Sequence, residues 1–243
     1  MLKGTLRQIL LITDGCSNSG ENPVESASFA YKNGITVNVI GILEDHLDET
    51  DSGLEEVEDI SAAGGGISQL VFKEDLSQTV QAVTRQAMTQ TLQGFVNKEL
   101  TNIFGEERSL EEIEPDKRGE VMDVVEDLGE SADLEVLILV DTSASMRDKL
   151  ITVKEALIDL SINLHARSGG NQFALFRFPS KRHTIESIQD WAGQLSSISV
   201  IFPRLTSGGL TPTGPAIREA IYQFSKMQLK GSLYDAEEYP EER

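Results

Sequence analysis

The stretch LEVLILVDTSASM, residues 134–146, decides the fold. Its first seven residues carry one charge among apolar side chains, the composition of a strand covered by helices on both faces. The run ends on Asp141, and two hydroxyls follow at alternate positions, Ser143 and Ser145. In open α/β sheets ligands sit at such carboxyl ends of strands, near a switch in strand order. Downstream, residues 147–165 read as a helix with Leu150, Val153, Leu157, Leu160 and Leu164 on one stripe. NQFALFRF (171–178) reads as a strand and HTIESIQDW (183–191) as a weaker one. A helix is expected over 193–204. SGGLTPTG (207–214) is a loop, and a last helix covers 214–227.

The same alternation runs through the N-terminal part. LRQILLIT (6–13) reads as a buried strand that ends on Asp14, and a loop rich in Gly, Asn and Ser follows. Pro23 opens a helix over 23–32, with Gly34 as its cap. ITVNVIGIL (35–43) is a second strand. Residues 44–59 hold nine Asp or Glu and no Lys or Arg, and lead into a helix to about residue 62. Gly64-Gly65-Gly66 breaks that helix, and ISQLVF (67–72) is a short strand. Strand–helix alternation of this kind predicts a parallel sheet. Residues 75–104 form one long amphipathic helix, with Val80, Val83, Ala87, Thr91 and Phe95 in step. Residues 105–133 are an acidic connector with a helix over 118–129.

Composition narrows the function. The 243 residues contain 40 Asp and Glu against 21 Lys and Arg, a net charge of −19. Such a surface repels nucleic acid and anionic membrane, which are therefore not expected as partners. The one cysteine, Cys16, excludes an intrachain disulfide and suggests a reducing compartment. No apolar run approaches the roughly 18 residues of a bilayer span, and the run before Asp14 is too short for a signal-peptide core. A cytoplasmic location is expected.

Three pieces carry chemistry. Asp141, Ser143 and Ser145 offer three oxygens from one tight loop, the donor type that hard cations such as Mg²⁺ prefer. The same residues also suit an ordinary helix N-terminus. Gly208-Gly209-Leu210-Thr211 lets the backbone approach closely and adds a hydroxyl, or is simply a helix-opening loop. Thr13-Asp14-Gly15 ends a buried strand, as many strand-to-loop turns do.

Taken together, DTSASM, GGLTPTGPA and LLITDG resemble the von Willebrand factor type A (VWA) family. Its metal-ion-dependent adhesion site (MIDAS) is built from DxSxS, a downstream threonine and an aspartate. The matching positions are Asp141, Ser143 and Ser145, then Thr211, then Asp14. The chain is similar to the small stand-alone VWA proteins of spore-forming bacteria. The resemblance implies a Rossmann-like three-layer α/β sandwich with a mostly parallel central sheet, and one Mg²⁺ (or Mn²⁺). Ser143 and Ser145 would hold the ion directly, Thr211 would do so in the ligand-bound state, and Asp141 and Asp14 would act mainly through waters. The function implied is metal-dependent binding of another protein that offers an Asp or Glu, not catalysis.

The order of the pieces departs from the family, because the aspartate comes first. Residues 1–72 resemble the second half of a VWA domain, strands four to six. Residues 134–228 resemble the first half, with 73–133 as a helical acidic connector and 229–243 as an acidic tail. The chain therefore reads as circularly permuted, or alternatively as half-domains exchanged in a domain-swapped dimer. Other functions stay open at this level: an adaptor or chelatase-like subunit beside a separate AAA-type ATPase, or a phosphatase-like enzyme with Asp141 as nucleophile. The latter normally needs a second acid where Ser143 stands. Cys16 has no local base, His46, His165 and His183 lack zinc-site spacing, and there is no P-loop.

Overall fold

A computed structural model describes residues 5–14, 17–43, 52–104, 115–164, 167–195 and 207–238. In chain order the elements are β1 (Thr5–Thr13), α1 (Pro23–Lys32), β2 (Ile35–Leu43), α2 (Ser52–Ala63), β3 (Gly65–Phe72) and α3 (Leu76–Phe104). They continue with α4 (Pro115–Ser131), β4 (Asp133–Asp141), α5 (Leu150–Leu164), β5 (Asn171–Phe178), β6 (Glu186–Ala192) and α6 (Thr213–Glu238). Six strands form one sheet in the order β3-β2-β1-β4-β5-β6. All neighbours pair in parallel except β5 and β6, which are antiparallel.

Side-chain alternation along the central strands builds the two cores. Leu10, Ile12, Ile138 and Val140 face one side and pack with Val80 and Val83 of α3, Val125 of α4, and Val153 and Leu157 of α5. Ile9, Leu11, Leu137 and Leu139 face the other and pack with Ala27 and Ala30 of α1, Val57 and Ile60 of α2, and Ile217 and Ala220 of α6. The result is the expected Rossmann-like three-layer sandwich with a mostly parallel sheet.

Several details differ from the sequence reading, each for a local reason. Gly64 closes α2 as expected, its N–H bonding to the Ile60 carbonyl at 2.9 Å. Gly65 and Gly66, however, already belong to β3. The β2–β3 register slips between Val37 and Val39, so two β3 residues face Asn38. The Asn38 side chain accepts from the Ile67 N–H at 3.2 Å, and a Cβ on Gly66 would lie 2.2 Å from the Val37 carbonyl oxygen. Gly66 is there because the backbones touch, and Gly65 because its φ is +61° and the Tyr31 ring lies where a Cβ would stand.

Within the stretch read as a helical acidic connector, 73–133, residues 76–104 and 115–131 are helical, and α3 is part of the core. Leu76, Val80, Val83, Met88 and Leu92 of α3 are buried, and they share one side of the sheet with α5 and Val125 of α4. Most of the expected helix at 193–204 lies outside the described residues, and 193–195 are not helical. The last helix runs past 227 to Glu238, into the segment read as an acidic tail. Residues 144–148 form a 3₁₀ turn ahead of α5 rather than its first turn.

The start of α6 is pressed against the loop after β1. A Cβ on Gly214 would stand 2.1 Å from the Glu21 carbonyl oxygen. Gly214→Ala is expected to destabilise the protein by about 1–3 kcal/mol through overpacking, read as a lower urea midpoint with an unchanged slope.

Candidate metal centre

The parallel pairing of β1 and β4 runs from Thr5↔Asp133 to Ile12↔Val140. It therefore delivers Thr13, Asp14 and Asp141 to the same end of the sheet. The Thr13 hydroxyl donates to Asp141 Oδ2 at 2.8 Å, and the Ser143 N–H donates to Asp141 Oδ1 at 2.7 Å. Asp141 itself is fully buried. The Ser143 and Ser145 hydroxyls lie 3.2 Å apart, and Ser145 donates to Asp14 Oδ1 at 2.9 Å. Four of the five residues named from sequence are thus joined in one hydrogen-bonded cluster.

Thr211, the fifth, is buried in the adjoining loop. Its N–H donates to Asn18 Oδ1 at 2.7 Å, and its carbonyl accepts from the Asn18 N–H at 3.1 Å and from the Ser17 hydroxyl at 3.3 Å. The Gly208 N–H bonds to the Thr142 carbonyl at 2.9 Å, and Thr142 is fastened to Phe178 of β5 through its N–H and its hydroxyl. Backbone bonds therefore lace the threonine loop to both the β1 and the β4 loops. No hydrogen bond joins the Thr211 hydroxyl to the four-residue cluster among the described residues.

Two participants escaped the sequence reading. Thr13 carries no signal in the sequence beyond its place at the end of a strand. Lys149 sits 2.5 Å from Asp14 Oδ2, with its side chain 8% and that of Asp14 1% exposed. A signal for it existed: position 149 falls on the buried stripe of Met146, Leu150 and Val153, where a lysine is out of place unless paired. Cys16, His46 and His165 lie outside the described residues, and His183 is exposed on the loop before β6.

The donor set is chemically uniform. It consists of hydroxyl and carboxylate oxygens, and no group of three or more His, Cys, Asp and Glu is placed to hold a metal ion among the described residues. Such a set suits a hard divalent cation that keeps part of its water shell, not a soft-ligand site. Ser145 is the exposed member, while Asp141, Ser143 and Thr211 are buried.

Burial raises the Asp141 pKa from its ordinary 3.8 to about 6. The Ser143 N–H and the Thr13 hydroxyl oppose the rise, and the charge of Asp14 adds to it. A carboxyl whose pKa is higher folded than unfolded contributes stability below the unfolded value, and that contribution is lost as pH climbs through the folded one. In EDTA, the stability of wild type minus that of Asp141→Asn is therefore highest below pH 4 and falls by about 3 kcal/mol on passing pH 6. Urea unfolding of both proteins across that range measures the difference. A flat difference removes the buried charge from the account.

Comparison with known proteins supplies relatives. No family model matches the chain. Uncharacterized protein YabS of Bacillus subtilis (strain 168) is 56% identical over 238 residues, which span 98% of this chain and 97% of that protein. The crystal structure of an uncharacterized protein from Alicyclobacillus acidocaldarius subsp. acidocaldarius DSM 446 is 41% identical with a TM-score of 0.82, covering 93% of this chain and 96% of that one. Proximal thread matrix protein 1 from the mussel byssus, solved with a zinc-occupied MIDAS motif, reaches 17% identity and a TM-score of 0.27, too distant to bear on this site. Near-complete coverage at 56% identity settles the family: the chain belongs with YabS.

Proposed function

We propose that the chain is a metal-ion-dependent protein-binding module of the VWA type. The observation that carries this reading is the meeting of Asp14 with Ser143 and Ser145, residues about 130 apart in sequence, at one edge of the sheet. Ser143 and Ser145, with Thr211, would hold a Mg²⁺ or Mn²⁺ ion through neutral hydroxyls. Asp141 and Asp14 would orient its waters. Bound there, the ion would supply an electron-poor centre that accepts an outside carboxylate. The exposed side at Ser145 is where an Asp or Glu of a partner protein would arrive. Nothing in this arrangement requires catalysis: Asp141 is buried and already accepts two hydrogen bonds, a poor state for a nucleophile.

Ligand that binds only the folded state raises the melting temperature by mass action. At an ion concentration a hundredfold above its dissociation constant, the gain for a chain of this size is about 5–10 °C. Asp141→Ala is expected to abolish it. An equal response to Mn²⁺ in both proteins would sink the metal site.

We infer further that the chain is a circularly permuted VWA domain. Exchanging the halves renumbers β4, β5 and β6 as strands one to three and β1, β2 and β3 as four to six. Read from the opposite edge, the sheet order is then unchanged, 3-2-1-4-5-6. Either chain order thus suits the same sheet. A re-ordered chain must keep α3, because its apolar face is part of the core. Residues 115–243 joined through a flexible linker to residues 1–104 are expected to fold with a native-like circular dichroism spectrum and the same Mn²⁺ response. Failure of that chain to fold counts against the permutation and leaves the metal site standing.

A further inference from the structure

A lysine inside a cation site is unexpected, because its ammonium competes for the oxygens that would serve the ion. Lys149 is nevertheless built in. It stands between the 3₁₀ turn and α5, on the buried stripe with Met146, Leu150 and Val153. Its backbone is held at both ends: its N–H bonds to the Met146 carbonyl and its carbonyl accepts from the Val153 N–H, both at 3.0 Å. The ammonium ends 2.5 Å from Asp14 Oδ2, while Oδ1 of the same carboxylate accepts the Ser145 hydroxyl. Both oxygens of Asp14 are therefore engaged, one by a charge and one by a proposed ion ligand.

We propose that Lys149 sets the charge of this site so that ion binding and carboxylate binding depend on each other. The inference rests on the metal-dependent reading above and adds a residue to it. Asp14 and Asp141 carry two negative charges and Lys149 one positive, a sum of −1. A divalent cation turns that sum to +1, and an outside carboxylate then brings it to zero. Without the lysine, the loaded site would already be neutral, and an incoming carboxylate would leave it at −1. In a site this buried, such differences are weakly screened. Lys149 thus weakens the hold on the ion taken alone and strengthens the hold of the loaded site on the acid. The partner class that follows is an acidic side chain arriving with, or after, the metal, rather than a neutral hydrogen-bonding group.

The test uses the full chain, Mn²⁺ as the ion and acetate as the carboxylate probe, with chloride holding ionic strength constant. Free Mn²⁺ is read by its paramagnetic resonance signal. In wild type, acetate is expected to tighten Mn²⁺ binding severalfold. Lys149→Met is expected to bind Mn²⁺ alone about tenfold more tightly and to lose the acetate effect. Removing one partner of a buried pair is destabilising, so a second variant removes both charges. Asp14→Asn with Lys149→Met returns the sum to −1, and although it binds Mn²⁺ more weakly, it should regain the acetate effect. A purely structural lysine would not produce that reversal. Equal Mn²⁺ affinity in wild type and Lys149→Met, or an acetate effect that persists in the single variant, overturns the role of Lys149. Mn²⁺ binding that Asp141→Ala still abolishes would show in that case that the metal site itself survives. Absence of Mn²⁺ binding to wild type overturns both.

Discussion

The pairing of β1 with β4 governs the rest of the molecule. Strand side chains alternate, so a one-residue slip would send Leu10 and Ile12 to the wrong helical layer and turn Thr13 away from Asp141. Both faces of the two strands are buried, which fixes the register from both sides at once. With the register fixed, the carboxyl ends of the strands must stand level. Thr13 then reaches Asp141, and the loops beyond can join through Ser145 and Asp14. The central core and the polar cluster are thus consequences of one ladder.

The cluster also shows how a fold accommodates two carboxylates at the end of its core. Burial of an unpaired charge is costly, and each carboxylate is relieved in a different way. Asp141 accepts a backbone N–H and a hydroxyl, and its proton affinity is still raised. Asp14 has a full counter-charge in Lys149. A site that answers one carboxylate with dipoles and the other with a cation is asymmetric before any ion enters.

Much of this was legible because the signals were local. LRQILLIT, ITVNVIGIL and LEVLILV each carry a run of consecutive apolar residues, which suits strands covered on both faces. Asp14, Asp141, Ser143, Ser145 and Thr211 were nameable because their motifs are short and self-contained. What stayed hidden depends on distant neighbours. Gly66 reads as a helix stop until the Val37 carbonyl is seen against it. Helix α3 reads as linker because it follows a completed run of three strands, although its apolar stripe is core. Asn18 is one polar residue in a polar loop, and only its bonds to Thr211 give it a role. A single lysine in RDK carries no motif, and its meaning comes from Asp14, 135 residues away.

That sequence separation has a consequence for how the chain comes off the ribosome. Strands β1, β2 and β3 are complete by residue 72, but β1 has its second neighbour only when β4 has been made. Until then β1, a central strand of the finished sheet, is an edge, with its hydrogen-bonding groups unpaired on one side. Long-range parallel pairing is slow to form, and an open apolar edge invites pairing with another chain. The first half therefore waits in a sticky state during the synthesis of more than sixty residues. Part of that interval is the making of α3 and α4, which can shield one side of the waiting sheet before β4 arrives. Helices α3 and α4 are thus placed to cover the nascent sheet as well as to complete the finished one.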